Sequence, residues 1–160
     1  PLQSVLRGLE AFHPVTGRMQ PRALDGGFQL IDDTYNANPD SVSAAIDVLA
    51  RLNGTKVLVL GDMAEVGADS HALHAEVGGY AKDQGIDVLL VHGAACAHAA
   101  RAFGPQGFVF DSLADLLRGI TPWMPAHILV KGSRSARMER VVAALAQQTP
   151  KSEEGDRHAT

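Results

Sequence analysis

Four clusters of polar side chains follow apolar runs of the sequence and carry the groups that could do chemistry. They occupy residues 32–38, 61–67, 92–93 and 131–135. A carboxylate at the end of a strand, such as Asp33, can accept hydrogen bonds from both hydroxyls of a ribose. The adjacent pair Asp32 and Asp33 could also bind Mg²⁺. Neighbouring strand residues point to opposite faces, however, so we expect one of the two acids to be structural.

The rest of the first cluster offers an aromatic face at Tyr35 and amide groups at Asn36 and Asn38. Asp, Asn and Pro are also the residues that any strand-to-helix turn uses. Asn38 is placed to cap a helix that begins at Pro39, since proline suits the first helical position. Ligand binding and turn formation are therefore both open interpretations of this loop.

The second and fourth clusters hold charges of opposite sign. The 61–67 segment is long for a strand-to-helix connection and carries Asp62 and Glu65, which could hold an ammonium group or simply face solvent. Lys131, Ser133 and Arg134 precede a helix, whose free N–H groups favour an anion. An ordinary helix start with surface cations is the alternative.

The elements that must position these clusters alternate along the chain. Short apolar runs at 28–31, 56–60, 87–91, 108–110 and 127–130 predict buried strands, and helical spacing predicts helices at 39–52, 70–84, 94–103, 112–120 and 135–147. This order favours an α/β fold: a three-layer Rossmann-like, mostly parallel, doubly wound sheet with helices on both faces. Because ligands bind at the carboxyl ends of such strands, all four clusters are expected at one edge.

Composition excludes several classes of function. The 160 residues fit one domain, and the net charge of -4 argues against a nucleic-acid or anionic-membrane partner. No apolar run reaches the roughly 18 residues of a membrane helix. The only cysteine, Cys96, cannot form an internal disulfide and fits a reducing cytoplasm. The sequence contains neither a P-loop nor a dinucleotide-binding glycine motif, and His71 and His74 are expected at the surface rather than at a metal.

Four stretches make the sequence resemble a known family. They are 17–19 (GRM), 30–39 (LIDDTYNANP), 60–67 (LGDMAEVG) and 130–139 (VKGSRSARME). In this order, and with the resemblance running from about Gly17 to Ala146, the chain is similar to the C-terminal domain of the Mur ligases. These enzymes form amide bonds in bacterial cell-wall synthesis.

The resemblance implies a role within a larger enzyme. Mur ligases have an N-terminal domain for the UDP-linked substrate, a central domain with the P-loop and the Mg²⁺ ligands, and a third domain that closes over ATP. The nearest member joins D-alanyl-D-alanine to UDP-N-acetylmuramoyl-tripeptide through an acyl phosphate. The implied partners are therefore the two other domains, ATP with Mg²⁺, and these substrates. We expect a cytoplasmic monomer whose third domain is inactive alone.

The same resemblance assigns residues and boundaries. Five residues match family positions that contact the nucleotide, and the resemblance implies that they bind it here: Arg18, Asp33, Tyr35, Asn36 and Asn38. It places Asp62 and Glu65 beside the incoming dipeptide, and it implies that a carboxylate or phosphate is held by Lys131, Ser133 and Arg134. Residues 1–17 are expected to be a stub and linker from the central domain, 18–148 the C-terminal domain, and 149–160 a disordered tail.

Two other functions remain open at this stage. Asp32, Asp33 and Lys131 imitate the acid pair and lysine of a phosphorylatable receiver-like signalling domain, but the acceptor aspartate is missing, since His92 and Gly93 stand there. A stand-alone nucleotide-binding domain without catalysis would have the same fold.

Overall fold

The computed structural model describes residues 16–148. Within that range six strands and five helices follow one another, and three-residue 3-10 turns join several of them. The strands are β1 Gln20–Ala23, β2 Gln29–Asp33, β3 Lys56–Gly61, β4 Val88–His92, β5 Gly107–Phe110 and β6 His127–Lys131. The helices are α1 Pro39–Ala50, α2 Ser70–Asp83, α3 Cys96–Phe103, α4 Leu113–Ile120 and α5 Glu139–Gln148.

The strands form one sheet in the order β1-β2-β6-β3-β4-β5. Strands β2 to β6 are parallel, which confirms the predicted fold class, and β1 pairs antiparallel with β2 at one edge. Strand β1 was not predicted. Its residues are mostly exposed and include Pro21, so the alternation of apolar residues that reveals a strand is absent.

Helices cover both faces of the sheet. Alternate side chains of a strand point to opposite faces, and β3 shows this clearly. Leu58 and Leu60 belong to the core beneath α1, α2 and α3, whereas Val57 and Val59 belong to the core beneath α4 and α5. The two cores give the predicted three layers.

The last helix begins later than the sequence predicted. Residues Arg134–Ala136 form a 3-10 turn, and Arg137 then adopts a left-handed conformation with φ 51°. A right-handed helix cannot continue through such a residue, so α5 starts at Glu139 instead of Ser135. The predicted 1–17 stub, apart from its last two residues, and the predicted 149–160 tail lie outside the described residues.

Over residues 16–148 no helix is both long enough and apolar enough to cross a membrane.

Candidate functional site

Three of the four polar clusters are joined to one another by hydrogen bonds because of the strand order. Strand β6 lies between β2 and β3, so the loop after β6 lies between the loops after the other two strands. Hydrogen bonds join all three loops: Lys131 Nζ donates to Asn36 O at 2.8 Å, Ser133 N to Asp62 O at 3.0 Å, and Ala64 N to Ala37 O at 3.3 Å. The fourth cluster lies at the same edge, because β4 is the other neighbour of β3 and a Cβ at Gly93 would lie 2.3 Å from Asp62 Oδ1. The expectation of one shared edge is therefore met.

A cleft of about 450 Å³ opens beside the loop after β2. All the residues predicted to bind a nucleotide line it, namely Arg18, Asp33, Tyr35, Asn36 and Asn38. The opposite wall is a face of α1 with Ala44, Ala45 and Val48, which sequence reasoning did not single out. The sequence feature that could have revealed this wall is Val48, an apolar residue outside the helical positions that form the core. Its side chain remains 41% exposed on α1.

The turn that contains Arg18 is fastened to the cleft on either side of that residue. Tyr35 N donates to Gly17 O at 2.8 Å, and Met19 N donates to Asp33 Oδ1 at 3.0 Å. Gly17 has φ 77°, and a Cβ there would lie 3.0 Å from Tyr35 N. Glycine is therefore required for this close approach. The turn brings the Arg18 guanidinium to 4.3 Å from the centre of the Tyr35 ring, within cation–π range.

Asp33 and Lys131 form a buried ion pair at the floor of the cleft. Lys131 Nζ lies 2.6 Å from Asp33 Oδ2, and the exposed fractions of the two side chains are 3% and 11%. Because the same ammonium also donates to Asn36 O, Lys131 is engaged inside the nucleotide cluster rather than beside Asp62. Asp33 Oδ1 accepts from Met19 N and Oδ2 accepts from Lys131 Nζ, and a carboxylate oxygen can accept two hydrogen bonds.

Asp32 has a separate, local role. Its Oδ1 accepts from Thr34 Oγ1 at 2.7 Å and from Thr34 N at 3.2 Å, which closes the turn after β2. Asp32 thus is the structural member of the acid pair, as the alternation of strand side chains predicted. Asn38 also has a structural function: its Oδ1 accepts from Ser41 N at 2.8 Å and caps α1.

The residues predicted to bind the second substrate are only partly gathered. Asp62 Oδ1 accepts from Cys96 N at 2.8 Å, so this carboxylate lies at the positive end of α3. Ser133 is buried, and its hydroxyl pairs with Ser135 at 3.0 Å. Glu65 is exposed in a left-handed conformation with φ 60°. Arg134 lies toward the nucleotide cluster, 5.9 Å from the Tyr35 ring centre.

His74 is wrongly predicted as a surface residue. It is fully buried, whereas its neighbour His71 is exposed and stacks on His98 at 4.1 Å between ring centres. The missed signal is helical spacing, because His74, Val77 and Ala81 fall on the one buried face of α2. Met63 N donates to His74 Nε2 at 3.0 Å, so the side chain contacts the 61–67 loop directly.

Asp62, His74 and Cys96 place ligand atoms within 4.8 Å of one another, a spacing that a metal site would need. Their hydrogen bonds argue against that role. The Nε2 lone pair of His74 accepts from Met63 N, and Asp62 Oδ1 accepts from Cys96 N. Burial, followed by the nearby charge of Asp62, raises the pKa of the Cys96 thiol far above its ordinary value. The cluster is a structural junction between α2, α3 and the 61–67 loop.

Comparison with known proteins identifies the family. The profile of "Mur ligase, glutamate ligase domain" matches residues 17–134. The UDP-N-acetylmuramoyl-tripeptide–D-alanyl-D-alanine ligase of Escherichia coli K12 is 44% identical over 147 residues, which are 90% of this chain and 32% of that protein. MurF from Acinetobacter baumannii superposes with a TM-score of 0.80 at 32% identity, over 91% of this chain and 34% of its own.

A structure of MurF ligase from Thermotoga maritima in complex with ADP is also similar, with a TM-score of 0.75 and 25% identity over 91% of this chain and 36% of that one. The chain thus spans about a third of the length of the relatives that it matches. Similarity to ligases over nine-tenths of the chain favours a ligase domain over the receiver-like and stand-alone alternatives.

Proposed function

Because this chain belongs to the Mur ligase family, through its glutamate ligase domain, we propose that it is the C-terminal domain of a MurF-type ligase. Such an enzyme uses ATP to join D-alanyl-D-alanine to UDP-N-acetylmuramoyl-tripeptide. The tripeptide carboxylate takes the γ-phosphoryl group of ATP and releases ADP. The amine of the dipeptide then attacks the acyl carbon, loses a proton and displaces phosphate, which leaves a new amide bond.

The observation that carries this proposal is the cleft, in which Arg18, Asp33 and Tyr35 converge against an apolar wall of α1. Its volume of about 450 Å³ lies in the usual range for a small-molecule site of roughly 300–1,000 Å³. We assign the ribose hydroxyls to Asp33, and phosphate oxygens or the base to the guanidinium of Arg18. Asn36 and Asn38 line the same cleft.

We assign the incoming dipeptide to the region between the 61–67 loop and Ser133. Glu65 is exposed there and can attract the ammonium group, and the exposed Arg134 cation suits the carboxylate. The Ser133 hydroxyl, which is buried and bonded to Ser135, would exchange that bond for one to the carboxylate. Lys131 receives a different role in this proposal. Its ammonium is engaged by Asp33 and Asn36 O, so it supports the ribose acceptor instead of touching the dipeptide.

The Asp32–Asp33 pair does not fit a Mg²⁺ site of its own. The Asp32 carboxylate accepts hydrogen bonds from Thr34, and the Asp33 carboxylate accepts from Lys131 Nζ and Met19 N. The Mg²⁺ ligands are therefore proposed to come from the central domain. The domain limits 18–148, the monomeric state and the cytoplasmic location remain predictions of the family resemblance.

Amide NMR spectra of this chain, recorded while ADP and then D-alanyl-D-alanine are added, test the proposal. We expect ADP to shift the resonances of Arg18, of residues 33–38 and of the Ala44–Val48 face of α1. The dipeptide should shift residues 61–67 and 133–135. Tyr35→Ala should weaken ADP binding about tenfold, because loss of an aromatic stacking surface costs about 1–3 kcal/mol.

The matched control is Val109→Ala, an exposed residue of β5 at the opposite edge of the sheet. That variant should bind ADP as the unchanged chain does. ADP shifts that avoid the cleft, or equal losses in the two variants, would contradict the assigned nucleotide site.

A further inference from the structure

The groups beside the two ring nitrogens determine the tautomer of His74, and Ser70 Oγ also lies 3.4 Å from Nδ1. Nδ1 lies 2.7 Å from Ser70 O, and Nε2 lies 3.0 Å from Met63 N. A carbonyl oxygen can only accept and an amide N–H can only donate, so Nδ1 carries the proton and Nε2 does not. The ring is therefore neutral, in one defined tautomer, and fully buried.

The hydrogen bond from Met63 N to His74 Nε2 attaches the 61–67 loop to helix α2. Two further backbone hydrogen bonds of this loop run along the sheet edge, from Ser133 N to Asp62 O and from Ala64 N to Ala37 O. Glu65 follows with φ 60°, a conformation that a non-glycine residue adopts only when its surroundings impose it. Met63 is itself buried, so its N–H needs a partner within the protein.

We propose that His74 is a positioning residue for the dipeptide site: through Met63 N it holds the loop that carries Asp62 and Glu65. His74 does not touch the substrate and acts only through the backbone of the loop. This inference rests on the proposed function, since it assigns the 61–67 loop to D-alanyl-D-alanine. It predicts that loss of the Nε2 acceptor weakens dipeptide use and spares the ATP site.

Two substitutions distinguish the roles of the two ring nitrogens. His74→Gln keeps an acceptor oxygen near the position of Nε2, whereas His74→Asn keeps only a donor near the position of Nδ1. In the complete ligase, His74→Asn should raise KM for D-alanyl-D-alanine about tenfold, as expected for a lost hydrogen bond to a buried group. KM for ATP should stay unchanged, and His74→Gln should restore most of the dipeptide KM. His71→Asn, at the exposed histidine on the same helix, should change neither constant.

Imidazole ¹⁵N NMR of this chain gives a second measurement that needs no ligand. We expect a protonated Nδ1 and an unprotonated Nε2 at His74, and we expect His74→Asn to shift the amides of residues 62–66 while His74→Gln leaves them near their original positions. A charged ring or the opposite tautomer would overturn the inference. Equal dipeptide KM values in the Asn and Gln variants, or a parallel rise in KM for ATP, would also overturn it.

The two measurements also separate this inference from the proposed function. If the unchanged enzyme does not use D-alanyl-D-alanine at all, the proposed function fails whatever the tautomer of His74. If it does, and His74→Asn leaves the KM for the dipeptide unaltered, the positioning role of His74 fails alone.

Discussion

At the scale of single residues, Lys131 shows how one contact can change a functional interpretation. Its position after a strand and before a helix predicts a surface cation that meets an anionic substrate. The fold instead buries it against Asp33, 98 positions away along the chain. A buried ion pair is weak evidence for net stability, but removal of one partner leaves an uncompensated charge. Lys131 therefore holds Asp33, which we propose to accept the ribose hydroxyls, in a defined place.

Substitution of Lys131 tests that role. Lys131→Met should lower the free energy of unfolding by about 3–5 kcal/mol, because Asp33 stays buried without its partner. Lys56→Met is the matched control, because Lys56 is the first residue of β3 as Lys131 is the last residue of β6. Its partner Asp87 is 3.7 Å away and half exposed. We therefore expect this variant to lose only about 0–1 kcal/mol of unfolding free energy. Urea denaturation measures both.

The double variant Asp33→Asn with Lys131→Met should lose less than the sum of the two single losses, since the neutral pair leaves no lone charge. Equal losses in Lys131→Met and Lys56→Met would show that the buried pair gives the site no support.

At the scale of elements, the contact between α2 and α3 positions the 61–67 loop, to which we assign the dipeptide. His74 comes from α2, and the carboxylate of Asp62 lies at the start of α3. The two helices approach closely at Gly78, where a Cβ would lie 2.1 Å from Ala99 O. Gly79, the next residue, faces open space, with nothing within 4 Å of the same added atom.

These adjacent glycines predict opposite effects of one substitution. Gly78→Ala should destabilise the protein by about 1–3 kcal/mol, because the methyl group meets backbone that must move. Gly79→Ala should stabilise it by about 0.5–1 kcal/mol, since alanine loses less entropy than glycine in a helix. Thermal or urea unfolding measures the difference. A stabilised Gly78→Ala variant would mean that α2 and α3 do not pack at this distance.

At the scale of the whole molecule, the site is an open edge rather than an enclosed chamber. In our proposal the described residues supply a cleft for the nucleotide and a loop for the dipeptide. The sequence contains no P-loop. Phosphoryl transfer depends mainly on positioning and on electrostatic stabilisation by such a loop and a metal ion. Closure of this domain against a partner that supplies them would also exclude water from the reaction.

We therefore expect this chain alone to neither hydrolyse ATP nor form the amide bond. Phosphate release and mass spectrometry of the product check this, with a complete MurF ligase as the positive control under the same conditions. Measurable turnover by the chain alone would contradict the division of labour proposed here and would point to a phosphate-binding site within these 160 residues.

The sequence by itself determined the local elements and grouped most of the residues that are predicted to bind a nucleotide. Apolar runs such as 56–60 and the spacing of Val42, Ile46 and Leu49 encode strand and helix over a few residues. The motif around Asp33 and Tyr35 lies within one loop, so its members stay together in any fold that forms that turn. Local periodicity and short-range spacing are properties of the chain itself.

Only the tertiary structure decided which loops touch and which side chains are buried. The position of β6 between β2 and β3 brings Lys131 to Asp33 and Ser133 to Asp62. A local sequence pattern does not indicate which strands are neighbours in the sheet. Burial of His74 needs the 61–67 loop above it. Strand β1 forms because β2 offers an edge, not because its own residues are apolar. The alternation of strands and helices predicted that the polar loops share one edge of the sheet, but the individual contacts between them depend on the whole packing arrangement.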